Sequence, residues 1–448
     1  MIRIAVLMLF CLTAPMPDDQ PADSIAESLA PWNQWRGPLG TGVAVGATPP
    51  VEWTTEKNVR WKTRLPGKGH SSPVLWHDRV FVTAAIPIGP KLPPRMSGRP
   101  GEHDNLPVDS RYQFAVIALD RRDGTILWQT VVREEVPIEA GHYSGSLASA
   151  SPVTDGRFVF ASFGAQGLYC LNMNGKVVWK KDTGPVHTKH GHGHGSSPAL
   201  YGECLVLNQD HEDDSFLLVL EKTTGEEIWK KERTEDTSWS SPIVIERRDQ
   251  EGVIQPEIVV CGTNRVRGYH LSTGKVLWEC SGMSSNVVAT PVYSNGVLYV
   301  GSSYEKKVLI AIKLEDVSGD LTGTDHVLWV RSRGTPYVPS MLLYDDAVYF
   351  LTHYQNVLTR VHGPTGEDDP GALRLGPLGN IYSSPVGANG HVYITDLSGT
   401  TMVITHASSP KLVAVNRLDE PIAASAAIRG DEIFLRGEQH LFCIGATE

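Results

Sequence analysis

Six side chains in two neighbouring stretches carry the atoms for coordination chemistry. His190, His192 and His194 alternate with glycine, and Asp210, His211 and Glu212 follow in the run NQDHEDD. In an extended segment alternation places every second side chain on one side. Imidazole with carboxylate suits zinc, copper or iron. The plainer reading is that glycine-spaced histidines form a hydrogen-bonding loop and that the acidic run 212–214 is a solvated turn. Both readings stand on the residues alone.

Other polar side chains form a ligand-binding set: His70 after Gly69, His142 and Tyr143 after Gly141, the alternating pair Arg265 and Arg267, and His353 with Asn356. A proline-rich insertion at 84–112 adds Arg95, Arg99, His103 and Asp104. There is no Ser-His-Asp order, no glycine-rich phosphate loop and no activated cysteine, so no catalytic residue is assigned. The serine of the phrase Ser-Ser-Pro recurs too often to be a nucleophile and is assigned a structural role.

These residues lie between repeated elements. ALDRRDGTILW ends at Trp128, and related phrases end at Trp179, Trp229 and Trp278, at intervals of 51, 50 and 49. In each a glycine precedes the tryptophan by four residues. The phrase reads as strand, tight turn, strand, with the glycine supplying positive φ. A second phrase, a small residue then proline then an aliphatic strand, opens each unit at Ser71, Ala150, Ser196, Ser240, Ala289 and Ser383, with degenerate copies at Val338 and Ala424. Such periods mean stacked repeats. A four-stranded unit buries its second face only against a neighbour. The final unit has three strands, and NVRWKTRLPG near the start offers the fourth. The expected fold is therefore all-β: an eight-bladed propeller of four-stranded blades, its last blade closed by the N-terminal strand, with seven blades as the competitor. The loops entering each first strand and those joining second to third strands then share one face. That face collects the histidines and arginines above.

Residues 1–15 (MIRIAVLMLFCLTAP) read as a secretion signal, with Arg3 ahead of a short apolar run. Export to a periplasmic or extracellular space is expected, and Phe10 before Cys11 argues against a lipid anchor. Residues 16–54 read as a flexible lead and a packed tryptophan-containing segment, and 55–448 as the propeller. No stretch reaches membrane-spanning length. The formal net charge of −10 argues against a nucleic-acid partner. The six cysteines are scattered along the chain without metal spacing, with Cys261 and Cys280 in one unit. They read as buried small hydrophobes, with a Cys261–Cys280 bridge as the one conceivable pairing.

The repeated phrases resemble the pyrroloquinoline-quinone-type (PQQ-like) propeller repeat, A-x-D-x-x-T-G-x-x-x-W. Ala118, Asp120, Gly124 and Trp128 match it, as do Thr224, Gly225 and Trp229, and Thr273, Gly274 and Trp278. The resemblance covers roughly residues 55–445 and decays after Pro364. The chain also looks like secreted repeat proteins of planctomycete-like bacteria. The resemblance implies one of two branches: quinoprotein dehydrogenases, or the cofactor-free barrel-assembly lipoprotein of the outer membrane. The dehydrogenases' adjacent cysteine pair is missing and no calcium-binding Glu/Asn/Asp set is placed, which argues against bound PQQ; a bound metal stays open. The expected function is an exported binding scaffold presenting the His- and Arg-rich face to a protein or small-molecule ligand. The alternative is a metal- or quinone-dependent oxidoreductase using that face.

Overall fold

The computed structural model describes residues 31–248, 252–352 and 356–446. Residues 1–30, which include the expected secretion signal, Cys11 and the start of the expected flexible lead, lie outside the described residues, as does His353. Among the described residues the strands form eight sheets, each built on four antiparallel strands, and the fourth blade adds a short fifth strand, Gly319–Asp320, that pairs parallel with Val276–Ser281. Blade 1 runs Val74–Trp76, Arg79–Ile88, Arg111–Asp120, Ile126–Glu135, and each following unit repeats this up-and-down order. First strands contact one another around the axis. Fourth strands such as Glu227–Glu232 are largely exposed and lie outermost. Blade 8 takes its first three strands from Ala427–Arg429, Glu432–Arg436 and His440–Ile444. Its fourth is Val59–Arg64, which pairs antiparallel with His440–Ile444. The N-terminal strand therefore closes the ring, leaving no open blade edge there to template pairing.

Two repeated contacts join blade to blade. Near the axis, the backbone N–H of Ser72 donates to the Ser151 hydroxyl, and the relay continues through Ser197, Ser241, Thr290, Ser340 and Ser384 to Ser425, each bond 2.9–3.0 Å. This is the structural role of the recurring serine. At the rim, the indole N–H of Trp61, Trp128, Trp179, Trp229 and Trp329 donates to a carbonyl in the turn of the next blade, at 2.7–2.9 Å. The turn glycine of that next blade lies against the indole. At Gly225 (φ +72) a Cβ would stand 2.6 Å from Trp179. The glycine and tryptophan of the repeat phrase thus interlock between neighbours, rather than within one hairpin. Trp278 is different: it is fully buried and donates to Glu257 of its own blade at 2.9 Å, because a longer connection carrying Leu314, Val317 and Leu321 covers it.

The segment before the first blade crosses the ring. The Asn33 carbonyl accepts the Thr154 N–H of blade 2, and the Thr41 carbonyl accepts the Leu343 N–H of blade 6. In an eight-membered ring these blades are opposite, so residues 33–41 span the axis. Between them Arg36, 2% exposed, donates to the carbonyls of Pro385 (2.9 Å) and Met341 (2.8 Å). Burial without a carboxylate partner lowers its pKa to about 9. Trp32 and Trp53 are buried in the same layer. The five described cysteines are all free, so Cys261 and Cys280 do not pair.

The interlock makes a sharp prediction. Gly225→Ala forces a side chain into the Trp179 ring and into positive φ, and should lose about 2–4 kcal/mol of stability. Gly202→Ala shares the positive φ (+55) but meets nothing within 4 Å, and should lose only about 1–2 kcal/mol. Denaturant unfolding of both variants reads the difference.

Candidate functional site

The relay fixes where each blade faces the channel. Two residues before each of the eight relay residues stands a residue lining one cavity of about 440 Å³: His70, Ser149, Gly195, Trp239, Val288, Val338, Tyr382 and Ala423, one per blade. Trp35, from the crossing segment, lines the same cavity. The channel is thereby a blind pocket with a tryptophan in its closed end.

The blade 1 insertion folds over the mouth. The loop between Ile88 and Arg111 pairs with the loop entering blade 2: the Leu106 N–H donates to Gly141 O (3.1 Å) and the Tyr143 N–H to Asp104 O (2.8 Å). The Asn105 amide donates to His190 O at 2.6 Å. This brings His103 of the insertion to ring-centroid distances of 4.9 Å from both His190 and His192, and places His142 4.9 Å from His192. Trp239 donates its indole N–H to Gly193 O (2.7 Å), leaving its ring face as the surface it offers.

Burial keeps His70, His142, His192 and His194 neutral at neutral pH. Burial, followed by the Lys68 and Arg436 charges, lowers His70 to about 3. Burial, joined by His142 and His103, lowers His192 to about 4, and burial lowers His194 to about 4. His142 is also lowered, chiefly by burial.

The structure divides the sequence-derived candidates. His70, His142, His190, His192 and His194 all line the pocket. His190 and His192 do not alternate with His194 along an extended strand, because the chain forms a 3₁₀ turn at Lys189–Gly191 with His190 at φ +58. His194 packs against Gly164 instead. Asp210 is held by Arg233 at 2.8 and 3.0 Å, and accepts the Ser238 hydroxyl at 2.8 Å. Glu212 accepts the Thr237 N–H and hydroxyl at 3.0 and 2.6 Å, and His211 is buried beside Asp213. Among the described residues no three His, Cys, Asp or Glu side chains are arranged to hold a metal ion. Arg265 and Arg267 pair with Glu279, and Arg267 also with Glu235. Tyr143 stands half-exposed beside His142, and Asn356 lines a separate small recess. Sequence reasoning missed Trp35, Trp239, Asn286, Tyr304, Tyr337 and Tyr382, all of which line the pocket. Trp239 and Tyr382 were marked by their place two residues before the relay position.

Comparison with known proteins bears on the fold. A family described as outer membrane protein assembly factor BamB matches residues 113–368 and 239–447. The chain belongs to this family of PQQ-like propellers. Among solved structures, BamB from Moraxella catarrhalis is 12% identical, with a TM-score of 0.55 over 81% of this chain and 98% of that one. A europium-containing methanol dehydrogenase is 11% identical, with a TM-score of 0.61 over 93% and 92%. The computationally designed Ika8 protein is 11% identical, with a TM-score of 0.58 over 87% and 99%. At such identities the likeness is one of fold. A comparison with curated proteins found no match. No helix among the described residues is long and apolar enough to cross a membrane.

The pocket does not fit the quinone of the dehydrogenase branch. Pyrroloquinoline quinone is a polycarboxylate and requires cations. Lys189 is the one Lys or Arg among the residues lining this pocket, and its Nζ pairs with Glu305 at 3.2 Å.

Two predictions follow from these environments. A histidine lowered in the folded state is neutral there and protonates on unfolding, so its stabilisation is present above the unfolded pKa of about 6.5 and is lost as pH falls toward the folded value. Thermal unfolding should therefore drop between about pH 6.5 and pH 4. His192→Gln should flatten that slope by roughly 1 kcal/mol at about pH 5, solvent around its half-buried ring screening part of the effect. Separately, Asp210→Asn leaves the buried Arg233 guanidinium with the more distant Glu235 carboxylate, at 3.8 Å, as its remaining ion partner and should cost about 3 kcal/mol in denaturant unfolding.

Proposed function

We propose that the chain is an exported binding propeller whose channel pocket holds a small ligand. The observation that carries this reading is the blind pocket itself, in which one residue from every blade, the crossing segment and the insertion converge. A scaffold that works through a broad docking face has no use for such depth, whereas small-ligand sites are concave, preformed and lined by aromatics with a few polar groups. Export rests on the first fifteen residues and accords with a family named for outer-membrane protein assembly.

The second reading, an oxidoreductase, is supported by the methanol dehydrogenase sharing this fold. It ranks below binding. Imidazoles lowered to about 3–4 are weak bases at neutral pH, whereas general-base catalysis works best with a pKa near the operating pH.

The test is a small-molecule thermal-shift screen on the mature chain, with native mass spectrometry of protein taken from its own host. Ligands should raise the melting temperature saturably in the wild type and fail to do so in Ala423→Trp, which fills the pocket from its rim. Shifts that persist in Ala423→Trp, or a protein partner captured equally by both forms with no small-molecule shift in either, would place function on the outer surface.

A further inference from the structure

We propose that the ligand of the channel pocket is a neutral carbohydrate, an inference that rests on the small-ligand reading above. A sugar ring has an apolar C–H face and an equator of hydroxyls that both donate and accept. A site for it offers flat aromatic surface and uncharged hydrogen-bonding groups together, and this pocket is built of those two materials.

The aromatic surface is presented by face. Trp239 has its indole N–H committed to Gly193 O, which holds the ring in place. Tyr304 and Tyr337 stack with centroids 6.1 Å apart at 16°, forming a continuous wall, and Trp35 stands at the closed end. Rigid Trp and Tyr rings bury a large area with little loss of conformational freedom.

The polar groups are uncharged. Ser151, Ser197, Ser384 and Ser425 each accept one backbone N–H in the relay while lining the cavity, so each hydroxyl keeps its own proton as a donor. Asn286, 4% exposed, lines the same cavity, and its Oδ1 is buried without a hydrogen-bond partner. A buried acceptor of that kind is costly until a ligand hydroxyl reaches it. Formal charge is confined to the edges: Asp104 is exposed on the insertion, and Lys189 is paired with Glu305. An acidic ligand therefore finds no unpaired cation here, and a flat apolar ligand would leave the hydroxyls and Asn286 unanswered.

Isothermal titration of the mature chain at neutral pH against cellobiose, maltose, xylobiose and N,N′-diacetylchitobiose tests this, with sodium glucuronate, glucosamine and menadione as contrasts. At least one neutral disaccharide should bind saturably, and glucuronate and menadione should not. Trp239→Ala and Tyr304→Ala should each weaken that binding about tenfold. Tyr304 is 48% exposed, so its truncation reports on binding even if Trp239→Ala fails to fold. Glucuronate or menadione binding in the wild type but not in Ala423→Trp, with every neutral disaccharide silent, would overturn the carbohydrate and leave the small-ligand pocket standing. Silence from all the probes, with no ligand retained on native purification, would overturn both. Saccharide binding undiminished by Tyr304→Ala and Trp239→Ala would place the sugar elsewhere on the chain.

Discussion

The relay of hydroxyls around the axis is the contact on which the rest of the structure depends. Each opener puts a backbone N–H into the buried centre of the ring, where an unpaired donor is costly. The neighbouring blade supplies the acceptor from a serine or threonine side chain, from Ser151 through Ser425. A single side chain thus satisfies the backbone, sets the spacing between blades and fixes the register of every first strand. The junction between blade 8 and blade 1 uses a larger device. Arg436, buried from blade 8, donates to Ser71 O (3.2 Å), to the Ser71 hydroxyl and to Thr83 O (2.6 Å) of blade 1. It has no carboxylate partner, and burial lowers its pKa to about 9. Two such buried guanidiniums, Arg36 and Arg436, hold the closed end and the closing seam.

Charge is otherwise sorted into the seams and edges of blades. Arg233 with Asp210, Arg267 with Glu235 and Glu279, Arg247 with Glu257, and Glu432 with Arg60 and Arg121 are pairs made within or between neighbouring blades. Buried ions of this kind are stable only when paired and further hydrogen-bonded. Asp210 meets that condition through Arg233, Ser238 and Asn208. The consequence reaches the channel: Asp210, Arg265 and Arg267 are engaged by Arg233, Glu235 and Glu279 from fourth strands and the segment that follows one, and the pocket is left mainly to serine, imidazole and aromatic side chains.

That division explains what was legible in the sequence. The blade number, the four-stranded unit and closure by Val59–Arg64 followed from periodicity, because Trp, Gly and the opener recur wherever the same contact is made. That His70, His142 and His190 share one face was equally legible, since topology alone sends them to one end. The partners of individual side chains were not. Arg265 and Arg267 looked available because Glu235 lies in the loop entering the blade and Glu279 in its fourth strand, and nothing local to RVR announces them. His103 joins His190 and His192 only through a loop whose path is set by backbone bonds to residues 141–143. The alternation of HGHGHG failed as a guide because His190, between Lys189 and Gly191, takes positive φ inside a 3₁₀ turn, which abolishes the two-residue period on which the inference rested.

The crossing segment decides what kind of propeller this is. Residues 33–41 tie opposite blades together under the axis, and Trp35 turns an open channel into a pocket with a floor. The insertion narrows the other end and brings four imidazoles to its seam with the body. Neither element belongs to the repeat, and a ring of blades would close without the insertion. The repeat accounts for a rigid ring with one lining residue per blade. The two additions outside it make that lining converge, so the shape of the pocket is set by parts of the chain that the periodicity does not describe.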